Sequence, residues 1–189
     1  MSTALQRIAA LVLLVATLPV LAVIAALVMA LQGRPVLFRQ VRSGKDGVPF
    51  RLVKFRSMRD LRDAVGVLLP DDQRVTPIGA FLRRSRLDEL PSLWNVAAGE
   101  LTFIGPRPLL PQTIADLGDR GIDRGKVAPG LTGWAQVNGN TLLTLDQKID
   151  LDLWYVAHRN IVTDVKILMR TVWVMVAGEK QTLAVGKVR

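Results

Sequence analysis

No cysteine occurs among the 189 residues. Disulfides, thiolate zinc sites and cysteine nucleophiles are therefore excluded, and a reducing compartment is permitted without being required. Histidine and tyrosine appear once each, as His158 and Tyr155. A lone imidazole cannot build a zinc site, which leaves a hard cation such as magnesium, on carboxylate oxygen, as the metal to expect. Aromatic residues make up only 5% of the chain, too few for the stacking platforms of single-strand nucleic-acid binders. Acid is scarce too: 16 Asp and Glu stand against 25 Lys and Arg, a net charge of +9. That excess calls for an anionic partner, whether nucleic acid, phospholipid headgroups or a phosphorylated substrate. The length suits one domain with a short appendage.

What the sequence does have, early, is a long apolar run. Ile8 to Leu31 carries no charged residue, and a straight helix of that length would reach about 36 Å, enough to cross a hydrocarbon core. A cleavable signal would have an apolar region about half as long. Arg7 alone precedes the run, whereas Arg34, Arg39, Arg42, Lys45, Arg51, Lys54, Arg56 and Arg59 follow it. This bias places the bulk of the chain on the cytoplasmic side. Pro19 interrupts the run and predicts a break, because its ring removes a backbone donor and clashes with the preceding turn. The break either bends a spanning helix or turns it back to the face it entered.

Beyond the run, residues 35–38 and 50–55 read as extended pieces around a Ser43–Gly47 turn, with Phe50 and Leu52 on one face. Thr76 and Pro77 mark the start of a helix running to Arg84. A second helix is expected from Asp88, with Asp88 as N-cap, Leu90, Leu93, Trp94 and Ala97 as its apolar stripe, and Gly99 as its end. Pro129–Gly133 and Val137–Asn140 read as turns, and 146–155 as helical. Ile161, Val165, Leu168 and Val172 form a stripe, with Met169 and Trp173 beside it, that suits either core packing or the lipid interface. The stretch 181–189 reads as a basic tail or a short lipid-contacting element.

The chemistry concentrates in Arg83-Arg84-Ser85-Arg86-Leu87-Asp88-Glu89-Leu90-Pro91, followed by Gly105-Pro106-Arg107-Pro108. Two carboxylates inside a belt of arginines suit nucleophilic attack on a phosphate ester: one oxygen attacks phosphorus while guanidinium groups neutralise the phosphoryl charge. A helix N-terminus at Asp88 would favour its ionised form and attract phosphate. The same residues also fit an ordinary N-cap beside a solvated basic face.

These motifs, with Gln40-Val41-Arg42-Ser43-Gly44, Lys54-Phe55-Arg56-Ser57-Met58, Asn95-Val96 and the run from Pro129 to Gly139, stand in the order seen in bacterial sugar transferases. The chain resembles the small monotopic phosphoglycosyl transferases over nearly its whole length. The resemblance implies a mostly helical α+β fold, with a proline-broken re-entrant membrane helix over residues 1–33 and a compact catalytic domain with interfacial helices over 34–189. It implies transfer of a sugar-1-phosphate from a UDP-sugar to undecaprenyl phosphate, with release of UMP, at the cytoplasmic face of the bacterial inner membrane. Exopolysaccharide and lipopolysaccharide synthesis begin with such a step. Asp88 would be the nucleophile and carry Mg2+, with Glu89 beside it. Lys54, Arg56, Arg83, Arg107, Gln136, Asn138 and Asp152 would serve substrate and phosphate binding, and Pro19 the membrane break. The expected partners are the UDP-sugar, the lipid phosphate and membrane phospholipid, not nucleic acid, and a homodimer is allowed.

The chain departs from the family in three places. Leu18 precedes the proline where a serine is common, leaving Thr17 to supply a helix-bending hydroxyl. The start of the run, Leu5-Gln6-Arg7, lacks the usual acid. Asn140 follows Val-Asn-Gly where many members carry arginine. Three other readings remain: single displacement with a carboxylate base, hydrolysis with water as acceptor, and a membrane-tethered basic scaffold. An acidic pair at the centre of the arginines argues against the scaffold.

Overall fold

A computed structural model describes residues 3–178; the stretch 181–189 lies outside them. Among the described residues the chain is a mostly helical α+β protein with two small sheets. The apolar run forms two helices rather than one, α1 (Thr3–Ala16) and α2 (Leu18–Gln32), bent by 61° at their junction. The break falls at Thr17, whose hydroxyl donates to the carbonyl oxygens of Leu13 (2.7 Å) and Leu14 (3.2 Å). Pro19 occupies the first turn of α2, where a missing N–H costs nothing. Thr17 and Pro19 thus share the work of one break.

Both outer ends of this bent pair dock on the rest of the protein. Near the start of α1, the Gln6 side chain accepts from the Phe103 amide and Arg7 donates to the Ala97 carbonyl. At the end of α2, the Arg56 guanidinium donates to the backbone oxygens of Gln32, Gly33 (2.7 Å) and Arg34 (3.0 Å). Those are carbonyls left over where a helix stops, so Arg56 acts as a side-chain cap.

The extended pieces form one hairpin, longer than the sequence reading gave. Strands β1 (Leu37–Ser43) and β2 (Pro49–Phe55) pair antiparallel, Leu37 opposite Phe55 and Ser43 opposite Pro49. β2 is the central structural member. Phe50 and Leu52 pack with Ala10, Val96 and Leu101, whereas Phe55 packs with Ile24, Val28 and Leu82. The two N-terminal helices are thereby wedged onto one strand through separate apolar clusters.

After a short α3 (Asp71–Arg74), α4 (Pro77–Arg84) starts as expected, with the Thr76 hydroxyl accepting from the Gly79 amide. A 3₁₀ helix (Leu87–Ser92) and α5 (Leu93–Ala98) follow, and Gly99 ends α5 at φ 86°. Trp94, placed in the buried stripe by the sequence reading, is 59% exposed. The polypeptide then runs through β3 (Thr102–Ile104), α6 (Pro111–Asp116), α7 (Asp119–Gly125), β4 (Gly130–Thr132), α8 (Trp134–Val137), α9 (Leu145–His158) and α10 (Ile161–Ala177).

The stretch 129–133, read as a turn, is in fact mostly strand: β4 pairs parallel to β3, Thr102 opposite Gly130 and Ile104 opposite Thr132. Glycine makes this possible. A Cβ on Gly130 would sit 2.1 Å from the Gly105 nitrogen, and one on Gly133 2.1 Å from the Gly105 oxygen. Gly-Pro-Arg-Pro and Pro-Gly-Leu-Thr-Gly are therefore two halves of one close backbone contact.

A third apolar cluster joins Trp134 and Val137 to Leu151, Tyr155 and Ile167 of α9 and α10. Only Thr163 and Ile167 of α10 are buried. The stripe of Ile161, Val165, Leu168 and Val172, with Met169 and Trp173 beside it, faces outward. Core packing is thus not its role.

Candidate active site

The site is assembled on β2. β1 pairs with one edge of this strand, and the other is occupied by side chains that imitate a strand. Asn95 accepts from the Val53 amide (3.1 Å) and donates to the Arg51 carbonyl (2.8 Å), while the Ser92 hydroxyl donates to the Val53 carbonyl (2.6 Å). These bonds hold the 3₁₀ helix and α5 against β2. Lys54 then faces Glu89, Nζ to Oε1 2.7 Å.

Arg86 turns the chain between α4 and the 3₁₀ helix with a left-handed φ of 59°, a conformation that side chains other than those of Gly, Asn and Asp seldom adopt. Asp88 is consequently the second residue of a 3₁₀ helix and caps nothing. The N-cap expectation is corrected on that ground: chain direction reverses at Arg86, and helical geometry has begun before Asp88.

Glu89 and Asp88 are neighbours with opposite surroundings. Glu89 receives Lys54 and, at 3.0 Å, the Arg107 Nη2, with Arg86 3.9 Å away. Burial alone would raise its carboxyl, but Arg107 and Lys54 outweigh burial and hold it down at about 2. Asp88 is 8% exposed and has no hydrogen-bond or ion-pair partner among the described residues. Its carboxyl is raised, first by burial and then by Glu89, against the pull of Lys54, Arg107 and Arg83. The expected lowering by a helix N-terminus is thus reversed. Burial, then repulsion from Arg107, also lowers Lys54.

Asp88 borders a cleft of about 1010 Å³, around which nine basic side chains stand against four acidic ones. Lys54, Arg56, Arg83 and Arg107 all reach its walls. Arg83 is steadied by Nε donating to the Ser57 hydroxyl at 2.9 Å. Gly79 lets α4 lie close to Ser57, since a Cβ there would fall 1.9 Å from the Ser57 backbone carbonyl oxygen. Arg56 borders the cleft with its guanidinium already engaged at the end of α2.

The other three predicted binding residues lie elsewhere. Gln136 is buried, donates to the Leu131 carbonyl at 2.9 Å and lines a separate pocket. Asn138 is fully buried; it donates to the Trp134 carbonyl (2.7 Å) and accepts from Arg170 of α10. Asp152 pairs with Arg124 at 2.8 Å, both side chains almost wholly enclosed. Burial raises the Asp152 carboxyl and Arg124 opposes the rise. Arg124 also donates to the Arg107 backbone oxygen. Asp152 therefore stands behind the Gly-Pro-Arg-Pro loop and braces it.

Sequence reasoning missed Arg124, which has no motif around it. It passed over Arg42, which borders the cleft close to Arg107, although the Gln-Val-Arg motif held that signal.

No three His, Asp or Glu side chains converge among the described residues, so a metal would have no all-protein cage. An open buried carboxylate fits a magnesium ion held through one protein oxygen and substrate phosphates. The arrangement can accept an anion with two phosphates, bring one free carboxylate oxygen to phosphorus, and keep the neighbouring carboxylate neutralised.

Comparison with known proteins agrees with the motifs. The family model described as "Bacterial sugar transferase" matches residues 1–178. The uncharacterized sugar transferase EpsL of Bacillus subtilis is 46% identical over 147 residues, 78% of this chain and 73% of EpsL. The UDP-glucose:undecaprenyl-phosphate glucose-1-phosphate transferase of Escherichia coli is 40% identical over 165 residues, 82% of this chain but 36% of that protein. A UDP-N-acetylgalactosamine-undecaprenyl-phosphate N-acetylgalactosaminephosphotransferase of Aeromonas hydrophila is 38% identical over 153 residues, 76% of this chain and 36% of its own length. The chain spans about a third of these last two relatives.

Proposed function

The chain belongs to the bacterial sugar transferase family, and we propose that it transfers a sugar-1-phosphate from a UDP-sugar to undecaprenyl phosphate through a covalent aspartyl phosphosugar. One observation carries this reading. Of two adjacent carboxylates, Glu89 is clamped by Lys54 and Arg107, and Asp88 is left open on a cationic cleft.

In the first step an Asp88 oxygen attacks the β-phosphorus of the donor. The bridging P–O bond breaks and UMP leaves with the bridging oxygen. Lys54, Arg83 and Arg107 offset charge on the phosphoryl oxygens as it moves from the bridge to the leaving group. A magnesium ion on Asp88 and the diphosphate would supply further neutralisation when bound. In the second step an oxygen of the acceptor phosphate attacks the same phosphorus and expels the Asp88 carboxylate. The acceptor is already anionic, so Glu89 need not act as a base; its paired state suits it to hold Lys54 and Arg107 in place.

Relatives are named for glucose, galactose and N-acetylgalactosamine donors, so the sugar is best found by assay. UMP release from a panel of UDP-sugars, with magnesium and undecaprenyl phosphate, should single out one donor. A donor labelled in its β-phosphate should leave label on the protein when acceptor is withheld. Product without trapped label would favour single displacement, and sugar phosphate formed at the same rate without lipid would indicate hydrolysis.

The bent helix pair is proposed to enter and leave the membrane by the cytoplasmic face. Helices of 14 and 15 residues are each about 21–23 Å long, short of a hydrocarbon core of about 30 Å. Both outer ends are bonded to the catalytic body, which supports re-entry over crossing. The absence of native cysteine makes the test clean. In intact spheroplasts an impermeant maleimide should label neither Thr3→Cys nor Arg34→Cys, and both after lysis. Labelling of Thr3→Cys from outside would establish a span.

A further inference from the structure

Two cavities meet at Glu89 and Arg86. Besides the large cationic cleft, a pocket of about 190 Å³ is lined by Glu89 and Arg86, which border both cavities, whereas Asp88 borders the cleft. Elsewhere its walls are mainly hydrocarbon: Leu93 of α5, Phe103 of β3, Leu131 of β4, and Val174 and Met175 of α10. Pockets that hold a ligand commonly combine such walls with a few polar groups at one end.

Resting on the proposed reaction, we propose that this pocket receives the first isoprene units of the polyprenyl phosphate acceptor, so that donor and acceptor approach the acidic pair through different cavities. Three features select this occupant. The pocket's polar end carries Glu89, the residue next to Asp88, so a chain seated there brings its phosphate beside the nucleophile. A cationic residue, Arg86, marks that junction and matches the phosphate's charge. The remaining wall is α10, whose outer face exposes Met169, Val172 and Trp173. An element with so apolar an exposed face would lead from lipid to the pocket. A nucleotide sugar suits the other cavity, which is larger and strongly basic.

The test uses the full chain in nanodiscs with a diazirine-bearing farnesyl phosphate as probe. Photolabel is expected on peptides containing Leu131 and Val174, displaced by undecaprenyl phosphate but not by an equal amount of dioleoyl phosphatidate. Filling the pocket with Val174→Trp should raise the KM for undecaprenyl phosphate at least ~10-fold while the KM for the UDP-sugar stays as in the wild type. Leu131→Ala, which enlarges the pocket, offers a second variant if the first does not fold; it should weaken photolabelling and raise the same KM. Label confined to α1 and α2, or equal displacement by phosphatidate, would overturn the assignment. Labelling reads binding without turnover, so it tests the pocket even if UMP release shows the transferase reading to be wrong.

Discussion

Asp88→Asn is expected to abolish transfer, lowering lipid-dependent UMP release by at least ~10⁴-fold, since an amide cannot attack phosphorus and leave again. It should also prevent trapping of the labelled phosphosugar. The same change should make the protein more stable. Asp88 has a folded-state carboxyl raised above its ordinary value by burial and by Glu89. Protonation is thus more favourable in the folded than in the unfolded protein. Its contribution is fully favourable below the ordinary carboxylate range and is lost as pH rises through the raised value, so at neutral pH the ionised group works against folding. Asparagine removes that charge at nearly constant shape. Thermal melting of wild type and variant in one detergent at pH 7 should show the variant melting higher, with the gap closing at acid pH. A variant that retains UMP release excludes Asp88 as nucleophile. One that melts lower shows that the carboxylate was supporting the fold.

Arg124→Met should give the largest loss of stability, about 3–5 kcal/mol, because it leaves Asp152 buried without its cation. Asp152 is 2% exposed and Arg124 5% exposed, so water cannot take over. Arg124→Met combined with Asp152→Leu should recover much of the stability, since an apolar pair of similar volume often replaces a buried ion pair without loss. Activity should not return with it. Arg124 also donates to the Arg107 backbone, and without that bond the loop carrying a donor to Glu89 loses its support. Denaturant melts of the single and double variants, read beside the KM for the UDP-sugar, separate the two effects. A double variant with full activity would show that the pair only holds α7 to α9.

Much of the outline was legible because it depends on local properties. An uncharged run of that length with a proline within it announces a broken apolar helix. Thr76-Pro77 and Gly99 mark helix ends through backbone geometry that needs no distant partner. The Asp88-Glu89 pair and the arginines around it could be read as one site because they lie close together in sequence.

Other features depended on contacts that no local pattern encodes. Asp88 reads as an N-cap until the left-handed Arg86 shows that the turn has already been made. Arg56 and Asn138 stand in motifs that suggest ligands, and the resemblance implies the same of Asp152, yet their polar groups are engaged by a helix end, by Arg170 and by Arg124. The sequence by itself determined which residues are charged, where helices can start and stop, and that one acidic pair lies among arginines. Only the tertiary structure decided which acid is paired and which is open. Burial raises both carboxyls, and whether a cation comes within about 3 Å to reverse this depends on β2 and the Gly-Pro-Arg-Pro loop, brought together from distant parts of the chain.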